Sequence, residues 1–139
     1  MAIRTGQAVW EGDLSKGKGT VKFGSFEGAY SFSSRFEDGK GTNPEEMIGA
    51  AHSGCFSMAL AHGLATAGFT PRKIETTAKV HLDKVGDGFK ITLIELETAV
   101  DVPGIDNAKF MGIAEATKTA CPVSQALSAV EMKLNARLV

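Results

Sequence analysis

The sequence predicts an α+β domain over residues 1–139, and three observations carry that prediction. Short segments that mix or alternate apolar and polar residues fill both ends of the chain. Between them a long run of Gly, Ala and Ser follows a helix-start signal at Asn43. A pair of long strand patterns, a second helical stretch and a closing strand complete the chain. The expected arrangement sets the small-residue helix beside antiparallel strands, with sheet contributions from both termini.

The elements follow in order. Gln7 to Gly12, Thr20 to Ser25 and Gly28 to Phe36 read as three short strands separated by glycine-rich turns such as Lys16-Gly17-Lys18-Gly19. The period then changes at Asn43-Pro44-Glu45-Glu46, with Asn43 as N-cap, Pro44 at the first helical position and Glu46 three residues after the cap. This helix is expected to run to about Ala67. It carries Gly49, Gly54 and Gly63, each costing about 1 kcal/mol relative to alanine, so close approach of another element is expected. Beyond Gly68, Ile74 to Asp83 alternates as a half-buried strand, Val85-Gly86-Asp87-Gly88 turns the chain, and Phe89 to Val100 returns. The apolar phase changes near Leu93-Ile94, which implies burial on both faces or a bulge. Asp106 caps a second helix ending near Ala120, Cys121-Pro122 opens a fresh helical turn with cysteine at its N-cap, and Val130 to Leu138 alternates as the last strand.

Composition narrows the functions. Fifteen Lys and Arg stand against sixteen Asp and Glu, a net charge of −1, without basic runs, so nucleic acid is not an expected partner. The opening residues lack the apolar core of a signal peptide, and no window approaches about eighteen unbroken apolar residues. A cytoplasmic protein without a membrane partner is expected.

Cysteine usage is the sharpest clue to chemistry. The chain has two cysteines, Cys55 inside the small-residue helix and Cys121 directly before a proline. In a reducing compartment both remain thiols, so a bond between them would be transient and redox-active. At a helix N-terminus the Cys121 sulfur would face unpaired N–H groups that favour a thiolate. Upstream, Arg35, Glu45 and Glu46 are the residue types that set the charge and hydrogen bonding of a thiolate. Read alone, each has a plain alternative: Cys55 as a small buried hydrophobe, Cys121 as a simple cap, Arg35 with a glutamate as a surface pair. His52, three residues before Cys55, permits a thiol–imidazole couple or two ligands of a zinc site, although a closed zinc site needs four. No metal or cofactor is expected, and His62 and His81 read as structural or solvated.

Seven segments together resemble one family. They are Trp10-Glu11-Gly12-Asp13, Lys16-Gly17-Lys18-Gly19-Thr20, Ser34-Arg35-Phe36, Gly41-Thr42-Asn43-Pro44-Glu45-Glu46, Gly54-Cys55-Phe56-Ser57-Met58-Ala59-Leu60, Phe69-Thr70-Pro71 and Cys121-Pro122-Val123-Ser124-Gln125. In this order they resemble the OsmC/Ohr family of osmotically inducible and organic hydroperoxide resistance proteins, on its OsmC branch. The resemblance implies an organic hydroperoxide reductase with Cys55 as the attacking sulfur, Cys121 as the resolving one, and Arg35 with Glu45 completing the site. Helical spacing agrees for the glutamate, since Glu45 lies about 80° from Cys55 around a helix and Glu46 about 180°. The resemblance further implies an intertwined homodimer with active sites at the subunit interface, and a dithiol reductant such as a lipoylated protein.

That chemistry explains the residue types. A thiolate attacks one peroxide oxygen and the alkoxide leaves, so the sulfur must be ionised and the leaving oxygen stabilised. A forked, permanently charged Arg35 serves both needs, and Glu45 orients it. The resulting sulfenic acid condenses with Cys121, and an external dithiol reduces the disulfide. Phe36, Met47, Ile48 and Phe56 are the expected apolar walls for an alkyl or fatty-acid hydroperoxide. Two other readings remain: a cysteine hydrolase using Cys55 with His52, and a non-enzymatic redox sensor or hydrophobic-ligand binder.

Overall fold

A computed structural model describes all residues, Met1–Val139, as two compact units, Met1–Met47 and Ile48–Val139. The first unit contains β1 (Gly6–Glu11), β2 (Lys18–Phe23), β3 (Phe26–Tyr30) and a short helix α1 (Phe32–Phe36). The three strands form an antiparallel sheet in the order β1-β2-β3. Gly19 stands opposite both Trp10 and Tyr30, and the two rings close over it with centroids 5.3 Å apart.

The third strand is shorter than expected, and the difference moves Arg35 from a strand to a helix. Gly28 to Phe36 has the alternation of a strand, but the Ser31 side chain accepts from Ser34 N–H (3.2 Å) while Ser34 Oγ accepts from Ser31 N–H (2.8 Å). This reciprocal cap satisfies two donors that an ended strand would leave open. Phe32 and Phe36 then stack one turn apart, with centroids 4.9 Å apart.

The long helix α2 covers Pro44–Thr66. Asn43 Oδ1 accepts from Glu46 N–H at 2.8 Å, as an N-cap does. The Glu46 carboxylate bonds the Thr42 hydroxyl (3.1 Å) instead of reaching back to Asn43. The other end closes with a Schellman motif: Phe69 N–H reaches Leu64 O (2.9 Å) and Gly68 N–H reaches Ala65 O (3.0 Å). Gly68 makes this possible with φ of 93°.

The second unit holds β4 (Lys73–Val85), β5 (Gly88–Asp101), α3 (Asn107–Ala120), α4 (Pro122–Ala126) and β6 (Glu131–Leu138). Its sheet runs β4-β5-β6. The β4–β5 hairpin is antiparallel, and pairing slips between His81↔Leu93 and Leu82↔Ile91, which leaves Thr92 as the extra residue of a bulge. The expected phase change near Leu93 is this bulge. The sheet is mixed, not wholly antiparallel, because β6 pairs parallel to β5. Helices α3 and α4 form the long crossover that a parallel neighbour requires.

Within this unit α2 lays His52, Phe56, Leu60 and Leu64, four residues apart, into the interior with no exposed surface. The three apolar members pack with Ile94, Leu96 and Val100 of β5 and Phe110 and Ala114 of α3. Phe56 is therefore core and not a pocket wall. Ser57 Oγ donates to Thr76 Oγ1 (2.8 Å), which meets Thr98 Oγ1 at 2.9 Å, and this fixes the helix against β4 and β5. Two of the three helix glycines have close neighbours: a Cβ on Gly49 would meet Ala78 O at 3.1 Å, and one on Gly63 would meet Ile113 Cγ2 at 3.1 Å. Gly54 faces open space. No helix is long and apolar enough to cross a membrane.

Candidate active site

The residues named from the sequence fall into two pairs. In the first unit, α1 carries Arg35 and the first turn of α2 carries Glu45. Ser34 Oγ donates to Thr42 O (2.7 Å) and Asn43 Nδ2 donates to Ser34 O (3.0 Å), so the two helix ends are tied together. Arg35 then donates from Nη2 to Glu45 Oε1 (2.7 Å) and from Nε to Oε2 (3.1 Å) and Oε1 (3.3 Å). This is the two-pronged geometry in which arginine holds a carboxylate most firmly. The Glu45 side chain is 9 % exposed and that of Arg35 34 %, so the carboxylate is sealed while the cation keeps a free edge. The guanidinium also lies 5.3 Å from the Phe36 ring centroid.

That free edge borders a pocket of about 280 Å³ lined by Trp10, Leu14, Tyr30, Ser31, Phe32, Arg35 and Phe36. Phe36 was expected there. Trp10, Leu14, Tyr30 and Phe32 were not identified from the sequence as walls. The signal for Phe32 was its spacing of four from Phe36, and the signal for Trp10 and Tyr30 was their pairing across Gly19.

In the second unit, Cys55 and Cys121 are both free thiols, and Cys121 is close enough to influence the ionisation of Cys55. Burial pushes the Cys55 thiol up from its ordinary range, the Val123 backbone N–H pulls it down, and the Cys121 sulfur pushes it up again. Neither neighbour is a cation. Cys121 caps α4 as expected, its sulfur accepting from Ser124 N–H at 3.3 Å. The start of α4 thus bears on both sulfurs: Ser124 N–H donates to Cys121, and the Val123 backbone favours the ionised form of Cys55.

His52 has a different partner from the one its spacing suggested. Its Nε2 lies 2.7 Å from Ser124 Oγ, and Cys121 Sγ–H donates to the same oxygen at 3.0 Å. Burial lowers the imidazole below 6.5, which keeps it neutral. Ser124 received no role from the sequence, although its position three residues after an N-cap cysteine was the available signal. His81 meets Glu95 at 2.6 Å on the half-exposed hairpin, a surface pair. No group of three His, Cys, Asp or Glu side chains is gathered as metal ligands.

Comparison with known proteins gives the family. The chain is 57 % identical to peroxiredoxin OsmC of Escherichia coli (strain K12) over 129 residues, 91 % of this chain and 90 % of that protein. Its fold matches an OsmC-like protein of Mycoplasma pneumoniae with TM-score 0.77 at 15 % identity, covering 99 % and 98 % of the two chains. It also matches the organic hydroperoxide resistance protein OhrB of Bacillus subtilis with TM-score 0.72 at 26 % identity, covering 98 % and 100 %. The family model described as OsmC-like protein spans residues 37–135, and with these matches the chain belongs to that family.

Proposed function

We propose that this chain is a thiol-dependent peroxidase that reduces organic hydroperoxides to alcohols through its two cysteines. The observation that carries the reading is the closeness of its only two thiols, Cys55 partly accessible and Cys121 buried and acting on its ionisation, in a family whose relatives bear peroxiredoxin and hydroperoxide-resistance names. The Cys55 thiolate attacks one peroxide oxygen, the O–O bond breaks, and the departing alkoxide takes a proton to become the alcohol. Cys55 is left as a sulfenic acid. Attack by Cys121 then forms the Cys55–Cys121 disulfide and releases water, and a dithiol returns both to thiols.

Burial disfavours ionised Cys55, so a cation has to stabilise it. We assign that role to Arg35, oriented by Glu45, in a cytoplasmic homodimer. The aromatic pocket along the free edge of Arg35 suits an alkyl or fatty-acid tail better than hydrogen peroxide. A lipoylated protein is the proposed reductant. We favour this reading over a hydrolase using Cys55 with His52, because His52 Nε2 lies against Ser124 Oγ (2.7 Å) and not against Cys55.

A hydroperoxide consumption assay with dihydrolipoamide, thioredoxin or glutathione tests activity and donor together. Turnover is expected with wild type and its loss with Cys55→Ser. Cys121→Ser is expected to consume one equivalent and stop with Cys55 trapped as a sulfenic acid or mixed disulfide. Unchanged steady turnover in Cys121→Ser would remove its resolving role.

A further inference from the structure

The buried polar side chains behind Cys121 take no part in the scheme above. Cys121 is 1 % exposed, Ser124 3 % and His52 not at all, so charge arriving on the Cys121 sulfur must be met by protein donors. Cys55 is the more accessible of the two cysteines, so an external thiolate opening the disulfide attacks Cys55 and expels Cys121. The leaving sulfur is thus the one shut off from solvent.

The donors around it form an ordered set. Ser124 N–H points at Cys121 Sγ (3.3 Å), Ser124 Oγ lies 3.0 Å from the same sulfur, and His52 Nε2 lies 2.7 Å behind that oxygen. His52 Nδ1 is buried without a partner. A buried lone pair is the less costly atom to leave unpaired than a buried N–H, so the ring hydrogen belongs on Nε2, donating to Ser124 Oγ. With Cys121 as a thiol, Ser124 Oγ accepts from both sides and its own hydrogen is surplus. Once the sulfur carries negative charge, that hydrogen turns to it and each donor has an acceptor: Nε2–H to Oγ, Oγ–H to sulfur, N–H to sulfur. The arrangement fits a leaving thiolate better than a resting thiol.

We propose that Ser124 and His52 form a donor chain that stabilises the Cys121 sulfur as it leaves the Cys55–Cys121 disulfide. The inference rests on the two-cysteine reading given above. In the step itself, a thiolate of the reducing dithiol forms an S–S bond to Cys55, and the Cys55–Cys121 bond breaks with its electron pair moving to Cys121. The second thiol of the reductant then displaces Cys55 and is itself oxidised. Ser124 acts directly on the reacting sulfur, whereas His52 is a positioning residue that acts through Ser124.

The test prepares the disulfide with diamide, independently of any hydroperoxide, and follows its opening by dithiothreitol with acid quench and mass spectrometry. Ser124→Ala is expected to slow opening about tenfold, on the scale of a removed charge-stabilising donor and softened for sulfur. Ser124→Thr restores the hydroxyl and most of the rate. His52→Gln keeps an N–H donor and most of the rate, whereas His52→Leu does not. Opening of Ser124→Ala at the wild-type rate overturns the proposal, as does equal slowing by Ala and Thr, the mark of a packing role. Failure of diamide to join the two sulfurs overturns it as well. A chain that forms the disulfide with diamide but not with cumene hydroperoxide sinks the peroxidase reading and leaves the donor chain standing.

Discussion

Arg35 and Glu45 share three hydrogen bonds but not one environment, and the difference decides how each tolerates loss of the other. Without Glu45, the guanidinium, already one-third exposed, turns to water. Without Arg35, the Glu45 carboxylate stays sealed and unpaired. Arg35→Ala is therefore expected to destabilise the fold by about 1–3 kcal/mol, and Glu45→Ala by less. Urea titration of both variants checks the order, and equal losses would contradict it. His52 gives a second prediction. Its folded affinity for a proton lies below the ordinary 6.5 because it is buried, so the unfolded chain binds a proton that the folded chain refuses. Its contribution to stability is complete above 6.5 and falls as pH drops through that value. Thermal midpoints between pH 7.5 and 5.5 should fall more steeply for wild type than for His52→Gln, and parallel curves would show that burial does not hold the ring neutral.

At the scale of elements, what the sequence disclosed depended on whether the deciding contacts were local. The cap of α2, its glycine stop and the hairpin turn are set by neighbours a few residues apart, and they stand within one or two residues of expectation. The short helix bearing Arg35 was missed because Ser31 and Ser34 cap one another with hydroxyls, where the usual signal is a glutamate. The direction of β6 lies outside any pattern along the strand, since alternation is the same in parallel and antiparallel pairs. The link from Ser124 to His52 was hidden for a similar reason: the two are 72 residues apart. The glycines of α2 offer a test of this divide. A methyl at Gly54 meets nothing, so Gly54→Ala should stabilise the chain by about 0.5–1 kcal/mol through helix propensity, whereas the Ala78 carbonyl at 3.1 Å cancels that gain for Gly49→Ala. Denaturation midpoints compare them, and a loss at Gly54 would mark that face as covered in the assembled protein.

For the whole molecule, the separation of Cys55 and Cys121 along the chain matters as much as their proximity. Both lie in the Ile48–Val139 unit, close enough for Cys121 to influence the ionisation of Cys55, so the bond we propose closes a long loop inside one chain and does not link two chains. Closing a loop that spans positions 55 to 121 restricts the unfolded ensemble by about 4 kcal/mol in the chain-entropy account. Part of that gain is offset because Cys121 loses its S–H on oxidation and with it the hydrogen bond to Ser124 Oγ, worth about 1 kcal/mol. The oxidised protein is therefore expected to unfold at higher temperature than the reduced one, and to migrate near its chain mass of 14.6 kDa under denaturing, non-reducing conditions. Calorimetry on the two redox forms, with Cys121→Ser as the form that cannot close the loop, measures the difference. A band at twice the chain mass, or an oxidised form less stable than the reduced one, would mean that these two sulfurs do not resolve one another within a single chain.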